Sequence, residues 1–337
     1  MSNLHSPLKR FGWLLRRELW EHRIGMVWSP LIAGAISLLL AGIALMAAVL
    51  SIRAKSAQGQ LQVEGQAIQI NGLDLAELTG KLDAEQLANL GAALNSSLLV
   101  SSTWPLMVLS FVMFFYCAGA LYDDRRDRSI LFWKSLPVSD LSTVLSKALT
   151  ALVVAPVLAI GAAIATLIGF VILLSLAVLA LGGSPMQLIL GPASPLSVIG
   201  TLIGWLPVYA VWALPTVGWL LLCSALLPRV PFLLAILIPV LTGALLSISG
   251  LAGLLGLSHS SIWGGVIARL LSGTLPGIHL VWQQNGISGE LLEQWMQSPS
   301  PLPAYGVFSL PTTWIGAAIG LVLIAVAIII RRRSDDS

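Results

Sequence analysis

Charged side chains are scarce in this chain, and their scarcity excludes a soluble globular protein. Only 10% of the 337 residues are Asp, Glu, Lys or Arg, and the mean hydropathy is +0.90. Ordinary soluble domains carry about 25% charged residues. The stretch from Ala148 to Pro228 contains no charge at all. The composition therefore indicates an integral membrane protein, to which domain counts based on length do not apply.

Ionisable residues are also missing at membrane depth. Charged groups inside membrane spans are costly and usually mark ion or proton pathways. The six apolar stretches of this chain hold essentially none. This absence disfavours a transporter driven by its own proton or ion gradient.

Catalytic motifs are absent as well. The Gly-Lys pair at 80–81 is not a nucleotide-binding loop, because the glycine required five positions upstream is replaced by Leu75. An intramembrane hydrolase would have to use Ser249 with His259 or His279, but the usual Gly-x-Ser-Gly arrangement is not there. We therefore expect no enzyme activity in this chain.

Metal and disulfide chemistry has equally little support. The four histidines are scattered, and no pair has ligand spacing. The two cysteines, Cys117 and Cys223, fall inside apolar stretches, where they are typical of small buried hydrophobes. We expect no metal site and no cofactor in this chain.

What the sequence has in abundance is long apolar runs. A helix needs about 20 apolar residues to cross a bilayer, and six runs meet that length. They predict an all-α polytopic membrane protein with six transmembrane helices. The predicted spans, numbered 1 to 6, are 24–52, 96–122, 146–181, 196–226, 232–257 and 307–330.

Polar segments join and flank these spans. Residues 1–23 are basic, with apolar residues at helical spacing that include Leu15 and Leu19, while Arg16 and Arg17 fall mostly elsewhere on the wheel. This pattern predicts an amphipathic helix in the membrane surface; the alternative is a short basic anchor that only sets orientation. The other connecting segments are 53–95, 123–145, 182–195, 227–231, 258–306 and the tail 331–337.

The two longest connections differ in character. In 53–95, the alternation of 61–70 predicts a small hairpin, and 74–90 predicts an amphipathic helix. The segment 258–306 is too broken for a full span. It predicts a re-entrant or interfacial pair of short helices, which needs shelter from surrounding protein.

The distribution of basic residues predicts the orientation. Cytoplasmic loops of membrane proteins carry an excess of Lys and Arg. Six spans put both termini on one side, and that side receives most of the 18 basic residues. We therefore expect both termini and segment 123–145 in the cytoplasm. The basic positions on that side are 9, 10, 16, 17, 23, 125, 126, 128, 134, 147, 229, 331, 332 and 333.

The densest internal charge cluster, LYDDRRDRSILFWKSLPVSD at 121–140, is the candidate for contact with a soluble partner. It combines paired acids and bases with a short apolar run, Ile130 to Trp133. Aromatic and Arg residues often contribute most of the binding energy at interfaces. Fixing the orientation of the chain in the membrane would require neither the acids nor the apolar run. The alternative is that the charges only fix topology and Trp133 sits at the membrane surface.

This layout resembles the permease subunit of bacterial ABC-2 type ABC transporters. The likeness rests on the basic N-terminal helix, the six spans, the broken segment between spans 5 and 6, and above all the run from Asp123 to Lys147. That run has an acidic–basic stretch, a small residue, an apolar patch, a Leu-Pro-Val-Ser turn and a Lys in the next helix. It departs from the usual Glu-Arg-Gly/Thr arrangement, having Asp-Arg-Ser instead, so the subfamily stays open.

The resemblance implies a specific assembly. Two copies of the permease would form the pathway in a bacterial inner membrane, and two copies of a separate cytoplasmic ABC ATPase, which binds ATP and Mg, would drive it as an exporter. Membrane lipid would be a further partner, and no nucleic acid is expected. The coupling residues would be Asp124, Arg125, Arg126, Asp127, Arg128, Phe132, Trp133, Leu136 and Pro137.

A stripe of aromatic residues on span 4 suggests where a substrate passes. Trp205, Tyr209, Trp212 and Trp219 recur at helical spacing and share one face. They predict a route for a hydrophobic or amphipathic substrate such as a lipid, peptide or drug. The alternative is lipid-facing or packing aromatics. A different function also stays open, in which the chain is a non-transporting membrane anchor or signalling partner of a cytoplasmic ATPase.

Overall fold

A computed structural model describes residues 7–57, 62–63, 66–67, 83–126, 139–227, 229–248, 253, 258–259, 261–278 and 299–333. Within these residues, six helices are long and apolar enough to cross a membrane. This confirms the predicted all-α polytopic membrane fold. The six are Ile24–Ser56, Ala84–Arg126, Asp140–Ala180, Pro195–Trp212, Pro231–Ile248 and Pro311–Arg333.

The described residues form α-helices interrupted by shorter elements. Among these residues, the π-helical stretches are Ile24–Trp28, Thr150–Val154, Met186–Leu190 and Ser261–Ala268, and Gly306–Ser309 is a 3₁₀ turn. The α-helices are α1 Pro7–Glu21, α2 Ser29–Ala57, α3 Ala84–Arg126, α4 Asp140–Leu149, α5 Ala155–Ala180, α6 Pro195–Trp212, α7 Leu214–Leu226, α8 Pro231–Ile248, α9 Arg269–Ser272, α10 Leu302–Tyr305 and α11 Pro311–Arg333.

Proline positions explain two irregularities in the spans. Pro156 at the start of α5 lacks the N–H that a continuous helix would donate, and the π-helical stretch Thr150–Val154 precedes it. Predicted span 4 is two helices, because α6 ends at Trp212 and α7 begins at Leu214, one residue before Pro215. Pro215 has no N–H to donate to the preceding turn, so a backbone hydrogen bond of a continuous helix is missing at this point.

The helix α3 extends well beyond predicted span 2. It has 43 residues, or about 64 Å at 1.5 Å per residue, and starts inside the predicted connecting segment 53–95. Its first turns pack on the 191–195 turn, where the Asn95 carboxamide oxygen accepts a 2.9 Å bond from the Ser194 N–H. A Cβ at Gly91 would lie 2.5 Å from the Pro192 carbonyl oxygen, so a glycine is needed for this approach.

Two short strands stand where the sequence predicts a hairpin. Gln62–Val63 pairs antiparallel with Gln66–Ala67. The rest of the predicted hairpin and residues 74–82 of the predicted amphipathic helix lie outside the described residues, and positions 84–90 are the first turns of α3.

The segment after α8 enters the helix bundle. The stretch Ser261–Ala268 continues into α9, and the turn Gly273–Gly277 follows, with Gly277 at φ +72°. Trp263 Nε1 donates to Ser247 Oγ on α8 over 3.0 Å, and Thr216 Oγ1 on α7 donates to the Arg269 carbonyl oxygen over 2.9 Å. Non-helical backbone at membrane depth is tolerated only where protein shelters it, and α7 and α8 provide that shelter.

Two buried clusters hold the helices together. The larger surrounds Met113, Cys117, Ala151 and Val217 and joins α3, α5, α7, α8 and α11; the smaller surrounds Leu98, Leu167 and Leu202 and joins α3, α5 and α6. Both cysteines are buried and free, as the sequence predicts. Glycine permits the close crossing of α7 and α11, since a Cβ at Gly218 would lie 2.5 Å from the Gly320 carbonyl oxygen.

Candidate functional site

The charged residues at one end of the bundle form the first candidate site. Helix α3 ends at Arg126, and α4 begins at Asp140 with Ser139 as its N-cap, the hydroxyl accepting a 3.2 Å bond from the Ser142 N–H. Asp124, Arg125 and Arg126 of the predicted coupling set are described. The remaining six, Asp127, Arg128, Phe132, Trp133, Leu136 and Pro137, lie outside the described residues.

Lys147 is the centre of a buried ionic network at this end. Its Nζ lies 3.1 Å from Glu18 Oε1 and 3.5 Å from Asp124 Oδ1, and the side chains of Lys147 and Glu18 are each only 2% exposed. Tyr116 Oη donates to Glu18 Oε2 over 2.8 Å. The amphipathic helix α1 is therefore attached to both α3 and α4 through its single buried acid.

Arg331 extends the network to the last helix. Its Nη1 lies 3.1 Å from Asp124 Oδ2, and its Nε lies 3.2 Å from Asp140 Oδ1. We call Glu18, Asp124, Asp140, Lys147 and Arg331 the ionic network. It joins α1, α3, α4 and α11 beside the two ends of segment 127–138.

Arg125 fixes the end of α3 to a fifth helix. Its Nη2 donates to the carbonyl oxygens of Ser224, over 2.5 Å, and Leu227, over 3.1 Å, at the end of α7. The Ser224 hydroxyl in turn accepts from the backbone N–H groups of Leu121 and Tyr122, each over 2.9 Å. A cation at a helix C-terminus is electrostatically favourable, so Arg125 holds α7 against α3 while Arg126 stays exposed.

The predicted interfacial helix, α1, buries one face against the helix bundle. Leu14 and Glu18 are buried, Leu15 and Leu19 are half-buried, and Arg17 Nε pairs with Glu21 Oε1 over 2.6 Å. Trp and Arg side chains alternate along its exposed face. The Arg16 guanidinium lies 5.5 Å from the Trp13 ring centre, and that of Arg23 lies 5.9 Å from Trp20.

His22 lies beside the ionic network. Its ring meets that of Tyr116 edge-on at 4.9 Å between centres. Burial lowers the pKa of His22, and the charge of Lys147 lowers it further, while the carboxylates of Glu18, Glu21 and Asp123 act against the shift. His22 thus favours the neutral form in this environment.

One group of ligand-type side chains is found among the described residues. Ligand atoms of Glu18, Glu21 and His22 lie within 4.8 Å of one another. Both carboxylates are already engaged, Glu18 by Lys147 and Glu21 by Arg17. This arrangement gives the acids counter-ions within the protein, and we assign no metal to it.

Three of the four predicted substrate-path residues surround one pocket. Trp205, Tyr209 and Trp212 line a space of about 540 Å³, including its open mouth. Trp219 does not line it: its Nε1 donates to the Ala235 carbonyl oxygen over 2.9 Å, tying α7 to α8. Trp219 stands seven positions, about two helical turns, beyond Trp212, and so lies further along the chain than the pocket wall.

The rest of the pocket wall comes from three other elements. Leu106 and Leu109 of α3 and Pro156 and Ile160 of α5 contribute aliphatic surface, and the turn Gly273–Gly277 closes the other side. Leu106 and Leu109 stand near the middle of predicted span 96–122. The pocket therefore lies at about mid-depth of the apolar part of α3.

Arg269 supports this wall from behind. Its guanidinium carbon lies 4.1 Å from the Trp212 ring centre. Its Nη1 and Nη2 donate to the carbonyl oxygens of Thr312, over 2.6 Å, and Thr313, over 3.3 Å, at the start of α11. Sequence reasoning missed this role; the available signal is a single Arg within an otherwise apolar run at 261–278.

Comparison with known proteins gives no further guide: no family model, no curated protein and no solved structure matches this chain. The geometry of the ionic network and of the pocket is therefore the basis on which a function is assigned.

Proposed function

We propose that this chain is the permease subunit of an ABC-2 type ABC transporter in a bacterial inner membrane. Two copies form the pathway, with both termini cytoplasmic. A separate ATPase, also in two copies, binds ATP and Mg and drives export of a hydrophobic or amphipathic substrate. The chain itself has no enzymatic role.

The observation that carries this proposal is the ionic network at the two ends of segment 127–138. Asp124, three residues before the segment, and Asp140, two residues after it, both pair with Arg331 of α11, and Asp124 also pairs with Lys147. A force applied to the segment would therefore reach α1, α3, α4 and α11 together. This is what a permease requires if an external ATPase is to move its helices.

The pocket favours transport over a passive membrane anchor. An anchor needs helices that pack and a contact for its partner, but it has no use for an aromatic-lined pocket at mid-depth closed by a broken backbone segment. Ligand pockets are typically apolar and concave with few polar groups, and the space around Trp205, Tyr209 and Trp212 fits that description.

Co-purification from native membranes tests the coupling assignment. The full chain is extracted in nanodiscs, and bound proteins are identified by mass spectrometry. We expect an ABC ATPase at a near-equimolar ratio, and we expect its loss in Trp133→Ala and Arg126→Glu. Arg333→Glu reverses an exposed charge at the same end and is the matched control, which retains the ATPase.

The outcomes separate the two candidate functions. Recovery of the ATPase with both coupling variants would reject segment 127–138 as the contact. An ATPase that binds as expected, but whose hydrolysis responds to none of the hydrophobic compounds tested, would favour the anchor. Isolation of the chain without an ATPase would reject the proposal.

Cysteine labelling tests the proposed orientation. Both native cysteines are buried, so single cysteines can be added without removing them. In intact spheroplasts, an impermeant maleimide should label Gln60→Cys but not Ser2→Cys or Ser337→Cys. Labelling of either terminus before the membrane is broken would contradict cytoplasmic termini.

A further inference from the structure

The Tyr209 hydroxyl is a polar group in the wall of this pocket. The Tyr209 hydroxyl is buried and forms no hydrogen bond within the described part of the chain. Buried hydroxyl groups are normally hydrogen-bonded, because leaving one without a partner carries a desolvation penalty. Tyr209 lines the pocket, so a molecule held there can supply the missing acceptor.

The shape and lining of the pocket limit what it holds. The pocket is a narrow, partly open space whose lining is almost entirely apolar, as is usual in small-molecule sites. Leucine, isoleucine and proline side chains from α3, α5, α6 and the 273–277 turn form most of the wall, together with the rings of Trp205, Tyr209 and Trp212. Such walls favour a flat apolar body that stacks on aromatic rings.

The charge behind the wall selects against cations. Arg269 stands 4.1 Å from the Trp212 ring centre, and its side chain is 8% exposed. The Arg269 guanidinium already forms a cation–π contact with the Trp212 ring. A cationic ligand in the pocket would face the like charge of Arg269 in a low-dielectric setting, whereas a neutral acceptor would not.

One side of the pocket is closed by a turn and not by a helix. The turn Gly273–Gly277 has two backbone hydrogen bonds, from the Leu275 N–H to the Ser272 carbonyl oxygen over 2.9 Å and from the Ile278 N–H to the Leu275 carbonyl oxygen over 3.4 Å. In membrane transporters, broken helices of this kind occur where they line a cavity. The turn therefore forms the wall of the pocket opposite the aromatic rings.

We propose that this pocket is a binding site for a neutral, flat, apolar molecule that carries one hydrogen-bond acceptor, with Tyr209 as the donor. The identification of this ligand as the transported substrate rests on the proposed function. The site itself requires only this chain, and it lies within one subunit, between α3, α5, α6 and the 273–277 turn.

Photo-crosslinking with benzophenone, an apolar ketone, tests the site. The purified full chain in nanodiscs of one lipid is irradiated with increasing benzophenone, and the attachment points are mapped by mass spectrometry. We expect saturable attachment at Leu206, Leu275 or Pro276. Fluorenone, which has a carbonyl acceptor, should compete at about tenfold lower concentration than fluorene, which lacks one, because one buried hydrogen bond is worth about that factor.

Tyr209→Phe provides the decisive comparison, since it removes the hydroxyl and keeps the ring. We expect the two competitors to become equal within about twofold, while Tyr305→Phe, outside the pocket, keeps the tenfold preference. A fluorene carrying a trimethylammonium group should not compete in either protein. Leu206→Trp, which fills the pocket, should abolish saturable attachment.

Three results would overturn the proposal: attachment that never saturates, attachment confined to lipid-facing side chains, or an acceptor preference that survives Tyr209→Phe. The measurement uses no ATPase. Failure here would leave the coupling assignment intact, and failure of the ATPase to co-purify would leave this site intact.

Discussion

The Lys147 ammonium and the Glu18 carboxylate meet at 3.1 Å although 129 positions separate them in the chain. Neither side chain is more than 2% exposed. Charges are rarely buried unless they are paired, and this pair fixes the amphipathic helix α1 to the last turn of α4, the helix that follows segment 127–138.

Removing one member of this pair should destabilise the protein strongly. Lys147→Met leaves Glu18 buried without its counter-ion, which costs roughly 3–5 kcal/mol in comparable sites. The double variant Glu18→Gln, Lys147→Met should recover most of that loss. Thermal unfolding in nanodiscs measures both.

The exposed pair on the same helix is the matched control. Glu21→Gln breaks the Arg17–Glu21 contact of 2.6 Å, whose side chains are 20% and 44% exposed. Surface pairs of this kind contribute about 0.3–0.5 kcal/mol. A similar loss at both pairs would show that the burial of Lys147 and Glu18 has no energetic importance.

The crossing of α7 and α11 should not tolerate a methyl group. A Cβ at Gly320 would lie 2.5 Å from the Leu214 carbonyl carbon, and backbone atoms cannot yield as a side chain can. Gly320→Ala should therefore cost about 1–3 kcal/mol through overpacking. Gly200→Ala, where nothing lies within 4 Å of the added carbon, should be neutral or slightly stabilising. The unfolding temperatures of the two variants, each compared with that of the unchanged protein, measure this difference.

Arg269 should be needed to hold the entering segment against α11. Arg269→Lys keeps the charge but cannot reach both carbonyl oxygens with a planar fork. We expect faster hydrogen exchange across 261–278 and lower thermal stability. Arg53→Lys is the control, because Arg53 also bonds a distant carbonyl oxygen, that of Ala180, but is exposed. Equal effects at the two sites would argue against a special role for Arg269.

Stability should fall in mild acid because of His22. Its pKa is lowered in the folded protein, chiefly by burial, so below the usual value of about 6.5 the unfolded chain binds a proton that the folded chain does not. The stability contributed by neutral His22 is therefore present above that pH and is lost as the pH falls below it. His22→Gln should flatten the thermal stability profile between about pH 5 and 7, and His259→Gln changes an exposed imidazole as the control.

The sequence predicts the membrane fold because spans depend on composition alone. Runs without charge, such as 148–228, can only be buried in lipid or protein. The break after Trp212 follows from Pro215, but the contact of Trp219 does not. Trp219 was predicted on the same helical face as Trp205, and the structure directs its indole N–H to the Ala235 carbonyl oxygen.

The ionic network was harder to predict, since it joins four distant segments. Glu18 stands four positions after Leu14, on the face of α1 that the protein buries, and a lone acid on such a face is a sign of a buried partner. Nothing in the local pattern identifies that partner as Lys147. Arg331 was predicted only to end the last span, yet it contacts Asp124 and Asp140.

Among the described helices, α3 alone contributes residues to all three of these: the ionic network, the pocket and the contact with the turn at Ser194. Asp124 near one end belongs to the ionic network, Leu106 and Leu109 face the pocket, and Asn95 near the other end holds the turn at Ser194. An α-helix resists stretching along its axis. A shift of this helix by a single turn, about 5.4 Å, would alter all three places at once, so the two sides of the membrane and the space between them cannot change independently.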